Sequence, residues 1–368
     1  MKVLLCWLSL LSCLFVSNLA AEERVNFYAW GGSDAVNRYL EWASAELAEQ
    51  QGIRLQHVKV ADIREAVALI LATEDSTPID LLWVNGENFH ILKQQNKLLG
   101  DLPQKVANSV LIRRDLQWQY DFGVAVDGYE LPWGMAQFQL VLAAEVCEEE
   151  ADDNAQLQVS PTALLALAQR YPGRLSYPKP PSFHGTSWLK TLAYHLSEQP
   201  QLLQQAPATV EVEQVLAPLW AYLDQLHPYL WRAGDEFPTS AERQRLLFNQ
   251  GVLLNSVSFN PSEVPALQQQ GKLRPDAQAA SLGAAALSNF HYLAIPAQSE
   301  RQQAAVKVIN FFLSPEAQSQ KAALDVWGDP PVVETADAAT TVIFPAHPEP
   351  HVAWTALLEA QWLARYQR

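Results

Sequence analysis

Apolar and polar positions settle into a regular rhythm from Val25. Val25-Asn26-Phe27-Tyr28-Ala29-Trp30 alternates like a half-buried strand, and Gly31-Gly32-Ser33 breaks it. Val36, Tyr39, Leu40, Ala43 and Leu47 then recur at helical spacing, with Ser33 or Asp34 as N-cap and Gly52 as the stop. Ile53–Val60 reads as a second strand. Asp62-Ile63-Arg64-Glu65 reads as a capping box opening a helix with Ala66, Val67, Ile70 and Leu71 on one face. After Pro78, Ile79-Asp80-Leu81-Leu82-Trp83-Val84 is almost wholly apolar, as in a strand covered on both faces. Asn85-Gly86-Glu87-Asn88-Phe89 is expected as a tight turn at its end. This alternation predicts an α/β sheet with right-handed crossovers.

The middle of the chain repeats the logic. Ser160-Pro161 opens a helix to Arg170, and Tyr171-Pro172-Gly173 stops it. A short strand is expected over 174–177, and Pro178-Lys179-Pro180-Pro181 forces an extended segment. Phe183-His184-Gly185-Thr186-Ser187 leads into a helix carrying Trp188, Leu189, Leu192, Ala193 and Leu196. A helix over 240–250 and a strand over 252–257 follow, with Ser256-Val257-Ser258-Phe259-Asn260-Pro261 as the exit turn. Tyr292-Leu293-Ala294-Ile295-Pro296 precedes a helix over 299–313, and Ser314-Pro315 caps the next. Trp354, Leu357, Leu358, Gln361 and Trp362 mark a final amphipathic helix.

Ahead of this rhythm stands a different pattern. Lys2 precedes an apolar run over 3–16, and Ser17-Asn18-Leu19-Ala20-Ala21 offers small residues for cleavage. This is the layout of a secretory signal peptide over 1–20, and the run is short for a span of about 20 residues. Cleavage after Ala20 or Ala21 is expected. Lipid attachment at Cys13, within Leu10-Leu11-Ser12-Cys13, is the alternative, and a buried N-terminal helix is a further one. Cys6 and Cys13 lie in this leader, so cleavage leaves only Cys147, which cannot form an internal disulfide. Glu148-Glu149-Glu150 beside it disfavour a reactive thiolate.

The 368 residues hold 25 Lys+Arg against 40 Asp+Glu, and 49% are hydrophobic. Losing Lys2 leaves 24 basic side chains and a net charge of −16. An acidic chain without a basic stripe is a poor nucleic-acid binder. The hydrophobic fraction argues against disorder, and the length predicts two lobes. The acidic stretch over 148–154 reads as a solvated loop.

Enzyme and cofactor signatures are missing. There is no Walker A loop, no GxGxxG after a strand, no GxSxG elbow and no HExxH. His347 and His351 are four apart, but Pro348 and Pro350 prevent the helix that would align them on a metal. No cofactor and no metal is therefore expected.

Ligands of open α/β sheets sit beyond the carboxyl ends of the strands. The turns at those ends carry Trp30 and Ser33; Trp83, Asn85 and Glu87; Phe183, Thr186 and Ser187; and Phe259. Glycines there let backbone N–H groups approach a ligand, and aromatic faces offer about 0.5–2 kcal/mol each toward a cation. The competing reading places the tryptophans in the core. Gly185-Thr186-Ser187 at a helix start would also suit an anion.

Three segments carry a family resemblance: Trp30-Gly31-Gly32-Ser33, the stretch 80–89, and Glu130-Leu131-Pro132-Trp133-Gly134-Met135-Ala136-Gln137. With Asn310-Phe311-Phe312-Leu313-Ser314-Pro315-Glu316-Ala317-Gln318, the chain resembles family 1 extracellular solute-binding proteins of ABC transporters, in the YnjB-like branch. The resemblance implies a periplasmic-binding-protein-like type II fold, with each lobe a mainly parallel sheet flanked by helices. Lobe one would hold 22–132 and 295–325, and lobe two 140–286. Hinge crossings would run over 131–143 and 287–295, and 326–368 would pack back on both lobes. The implied function is periplasmic capture of a small solute between the lobes, without chemistry, and delivery to an inner-membrane ABC permease by a monomer. Trp133 joins the expected binding residues, with hinge packing as its alternative.

The aromatics would stack on the solute, Glu87 would balance a positive charge, and Asn85, Thr186 and Ser187 would hydrogen-bond. A cationic or heteroaromatic solute, thiamine-like or a polyamine, is expected, with an oxyanion as the alternative. A secreted hydrolase using cleft carboxylates, or a sensor lobe for a membrane receptor, would be the rivals from other classes.

Overall fold

The computed structural model describes residues 23–60, 63–72, 74–147, 157–335 and 343–367. The leader with Cys6 and Cys13, the Asp62 cap and the acidic stretch 148–154 lie outside the described residues.

The chain opens with β1 (Glu23–Trp30), α1 (Asp34–Gln51), β2 (Ile53–Val60), α2 (Arg64–Ala72), β3 (Leu81–Val84) and α3 (Gly86–Gln94). The first helix forms as its pattern requires. Ser33 Oγ accepts the Val36 N–H, Gly52 adopts φ 67°, and Val36, Tyr39, Leu40, Ala43 and Leu47 are buried. The tight turn expected over 85–89 is instead the first turn of α3. Gly86 sits at φ 58°, which reads locally as a turn, but the Asp121 carboxylate takes its N–H and holds the helix start from 35 residues away.

A short helix α4 (Leu102–Lys105) and the hairpin β4 (Tyr120–Asp121) and β5 (Val124–Ala125) follow. Next come β6 (Leu131–Gln137), β7 (Gln139–Leu142), α5 (Ala144–Cys147), β8 (Gln158–Val159), α6 (Pro161–Arg170), α7 (Phe183–Leu196) and α8 (Val212–Leu226). The strand expected over 174–177 does not form. Leu175 O accepts from the Trp231 N–H and Arg174 O from the Leu254 N–H, while Asn255 and Gln244 side chains hold Ser176. These partners satisfy a buried backbone without a ladder. The remaining elements are α9 (Ala241–Asn249), β9 (Asn255–Ser258), α10 (Glu263–Gln269), β10 (Gln278–Leu282), β11 (Ala286–Ala294), α11 (Gln302–Phe312), α12 (Pro315–Ala322), β12 (Ala346–Pro348) and α13 (Trp354–Tyr366).

Two sheets organise two lobes. One runs β12-β11-β3-β1-β2, with β6 on the other edge of β11; the second runs β8-β10-β7-β9. Apolar clusters cover both faces of the first sheet, and a third cluster forms the core of the second lobe. Helix α13 belongs to this third cluster: Trp362 Nε1 donates to the Tyr177 hydroxyl at 2.8 Å and Trp220 Nε1 to Gln361 at 2.8 Å.

The chain leaves the first sheet at 137–139 and returns at 282–286. The stretch 287–295 is occupied by β11, inside the first sheet. Because one strand of each pair leaves and the other returns, β6 and β11 are antiparallel, as are β7 and β10. Both sheets are consequently mixed: three of the five pairings in the first are parallel, but only one of the three in the second.

The pairings also fix directions. β6 runs toward the second lobe, and β3, β1 and β2 run with it. β10 runs back toward the first lobe, and β8 and β9 run with it. The carboxyl ends of β1, β2 and β3 therefore face those of β8 and β9 across the gap between the lobes.

Candidate functional site

On the first lobe, β1 delivers Trp30 to this gap with half its surface exposed (49%). Its indole folds back over Gly32, and the Lys59 side chain lies against Gly31, so a side chain at either glycine would collide. Ser33 is half-buried and its hydroxyl caps α1. At the end of β3, Asn85 is half-buried with no capping bond from its side chain, and Glu87 is exposed.

On the second lobe, Phe183 is 51% exposed and its ring lies 4.8 Å from that of Phe259. Phe259 is itself buried, and its carbonyl accepts the Gln137 N–H at the crossing. Thr186 and Ser187 are buried. Thr186 Oγ1 donates to Glu359 at 2.6 Å and Ser187 Oγ to Phe183 O at 2.8 Å. Gly185 is pressed against the backbone of Pro178, Lys179 and Pro180, and its N–H donates to Ser182 Oγ at 3.2 Å. The hydroxyls of this helix start thus bond within the protein.

Trp133 enters an aromatic cluster instead, and Trp83 packs against it while remaining half-buried. The Trp83 ring centroid lies 5.3 Å from that of Trp133, 4.9 Å from His291 and 5.7 Å from Trp327. Trp133 is fully buried, and the position over its ring is taken by the protein's own Lys321, 5.9 Å away and 5.5 Å from Trp327. Lys321 pairs with Asp329, which lies 3.0 Å from His291 Nε2. Burial lowers Lys321, with Asp329 opposing; burial raises Asp329, but Lys321 and His291 hold it below the ordinary carboxylate value. Beside Trp327, Gly328 abuts Ser262 in the loop after β9, so this cluster reaches the second lobe.

A cavity of about 150 Å³ opens where two strand ends meet. Strand β3 pairs with β11 over 292–294 and β12 pairs with it over 286–288; both occupy the edge opposite β6. β3 and β12 run in opposite directions, so their carboxyl ends converge on residues 289–291. Around this point lie Asp121, Phe122, Asn289, Tyr292 and Glu349. Glu349 is held by Lys190 of α7 at 2.9 Å and by Asn289 at 3.2 Å, and the Lys190 ammonium stands 4.8 Å from the Phe122 ring. Burial pushes Asp121 well above the carboxylate range, with the Gly86 N–H opposing and Glu349 adding.

The arrangement is a gap between two lobes, met by strand ends from both sides and walled by aromatic rings and carboxylates. A family model described as bacterial extracellular solute-binding protein matches residues 42–350. The chain belongs to the bacterial extracellular solute-binding proteins. As such it is an exported protein that binds a solute. Protein YnjB of Escherichia coli (strain K12) is 37% identical over 367 residues, spanning 95% of this chain and 93% of its own.

Two solved structures share the two-lobed fold. The spermidine/putrescine substrate-binding protein PotD of Streptococcus pneumoniae has a TM-score of 0.58 at 17% identity, with 82% of each chain covered. The ferric ion-binding protein A of Pasteurella haemolytica has a TM-score of 0.64 at 15% identity, covering 94% of this chain and 98% of its own. Their cargoes differ, so the shared fold leaves the solute to the site itself. Among the described residues no cluster of His, Cys, Asp and Glu is arranged to hold a metal ion.

The sequence did not nominate Asp121, Glu349, Lys190, His291, Lys321, Trp327 or Asp329. Glu130-Leu131-Pro132-Trp133-Gly134 was the one nearby signal: Gly134 packs against Asp329, His291 and Lys321, leaving no room for a Cβ.

Proposed function

We propose that the protein is the periplasmic solute-capturing component of an ABC importer, taking a small cationic or heteroaromatic solute between its lobes without chemistry. Export by the N-terminal leader and action as a monomer belong to this reading. The observation that carries it is the pair of half-exposed aromatic side chains, Trp30 on one lobe and Phe183 on the other, on strand and helix ends that face the same gap. Large apolar surfaces left open at a cleft mark a binding site.

Trp30, Trp83 and Phe183, backed by Phe259, would stack on the solute; Asn85 and Ser33 would hydrogen-bond it; Glu87 would face its positive charge. Trp133, Thr186 and Ser187 act from within, by packing and by holding α7. A solute that touches both lobes favours the closed state by its differential affinity, and the permease reads that state. The inward bonding of Thr186 and Ser187 favours a cation over an oxyanion, and membership of the family supports a capture role over a carboxylate-dependent hydrolase.

Thermal-shift measurements with polyamines, thiamine, sulfate and phosphate test the choice. Stabilisation by a polyamine or thiamine is expected, since a ligand bound only to the native state raises its melting temperature. A shift with sulfate or phosphate and none with the cations would overturn it.

A further inference from the structure

Three carboxylates line the cavity at the meeting of β3 and β12, and no Lys or Arg does. Two of them are already balanced. Asp115 is bound by Arg113 at 2.6 Å, and Glu349 by Lys190 at 2.9 Å. Asp121 is only 2% exposed, and one of its oxygens takes the Gly86 N–H. No side-chain cation among the described residues pairs with it. Behind it, Glu130 is fully buried with neither carboxyl oxygen hydrogen-bonded. Tyr120, Phe122, Phe290 and Tyr292 supply aromatic walls. The Tyr292 hydroxyl donates to Trp118 O at 2.7 Å and is not available to Asp121.

A buried carboxylate without a cation must either keep a proton or acquire a positive partner. We propose that Asp121 is the carboxylate that receives the charged group of the solute, and that the cation is exchanged there for a proton. This rests on the cationic reading above and assigns the charge to a buried residue outside the strand-end turns, in place of the exposed Glu87. The cavity suits an ammonium, amidinium or small heterocyclic head, with the rest of the solute extending toward Trp30 and Phe183.

The exchange balances: the Asp121 carboxyl releases its proton to solvent, and the resulting carboxylate pairs with the incoming cation. Burial raises Asp121, partly opposed by the Gly86 N–H and reinforced by Glu349; burial also raises Glu130, with Asp121 adding and Lys93 opposing. The groups acting on Asp121 are thus Glu349 after β12, Glu130 before β6 and Tyr292 on β11, while Lys190 on α7 is bound to Glu349. His347, Tyr120 and Asp115 complete the titratable lining. Affinity for a cation should therefore rise with pH through the range where Asp121 loses its proton.

Calorimetric titration of the full chain with putrescine, spermidine and thiamine, each in two buffers of different ionisation enthalpy, tests this. The expected result is that at least one of them binds with net proton release, and that Asp121→Asn weakens it tenfold or more and removes the release. Asparagine can still accept the Gly86 N–H, so α3 keeps its start. Binding without proton release, or equal binding by D121N, overturns the assignment to Asp121 and leaves the cationic reading standing. The proton measurement needs no variant, so it decides even if D121N fails to fold. No binding of any of the three overturns the cationic reading itself, and the assignment with it.

Discussion

The His227 ring is buried in the second lobe, with Nε2 2.7 Å from the Tyr177 hydroxyl. Trp362 Nε1 can only donate to that hydroxyl, at 2.8 Å, which leaves the Tyr177 proton free for His227. Burial lowers His227 to about 4, with Asp224 opposing. Between about 4 and the ordinary 6.5 the unfolded chain binds a proton that the native one refuses. Native stability is therefore complete above 6.5 and falls as pH drops toward 4, by up to about 3 kcal/mol from this one group. Denaturant unfolding at several pH values checks it: His227→Gln should flatten that part of the profile, and an unchanged slope would contradict the assignment. The same scale explains the fate of the expected site residues. Trp30 and Phe183 reach the gap, whereas Thr186 and Trp133 are claimed by Glu359 and by the Lys321 cluster.

Strand β6 illustrates how an element is fitted to its neighbours. Its register against β11 slips between His291 and Tyr292, and Gly134 opposes His291 where Lys321 and Asp329 come closest. Gly134→Ala should force that buried group apart and cost about 2 kcal/mol or more in stability. Thermal unfolding of the variant within 0.5 kcal/mol of wild type, a figure of about the usual surface substitution, would show the packing to be looser.

Helices with local signals were legible. α1, α6, α9 and α12 each carry a serine N-cap whose hydroxyl accepts from the first turn; α7 does too, through Ser182, so 183–187, expected as a strand-end turn, is the start of the helix itself. α3 was not, because its cap comes from Asp121. Nor was α8, whose buried Leu216, Leu219 and Leu223 flank an internal Pro218. The cavity was illegible for a stronger reason: Asp121, Asn289 and Glu349 meet only through the pairing of β11 with both β3 and β12. Abundant carboxylates gave no local sign of which would be buried without a partner.

For the molecule as a whole, the two crossings make both sheets mixed and set the strand ends of the two lobes face to face. Lys190 on α7, bound to Glu349 beside β12, ties the second lobe to the segment that returns from the first. The acidic balance argues against nucleic acid, but the solute is decided by local chemistry at the gap, where buried Asp121 pairs with no side-chain cation among the described residues. The central claim is capture of a cation without turnover. It is tested most directly by incubating the purified protein with putrescine, spermidine or thiamine, isolating the complex, and identifying the released solute by mass spectrometry. The account predicts one equivalent of an unaltered cation per chain. A chemically changed product, or a complex that retains only sulfate or phosphate when these are supplied in competition, would contradict it.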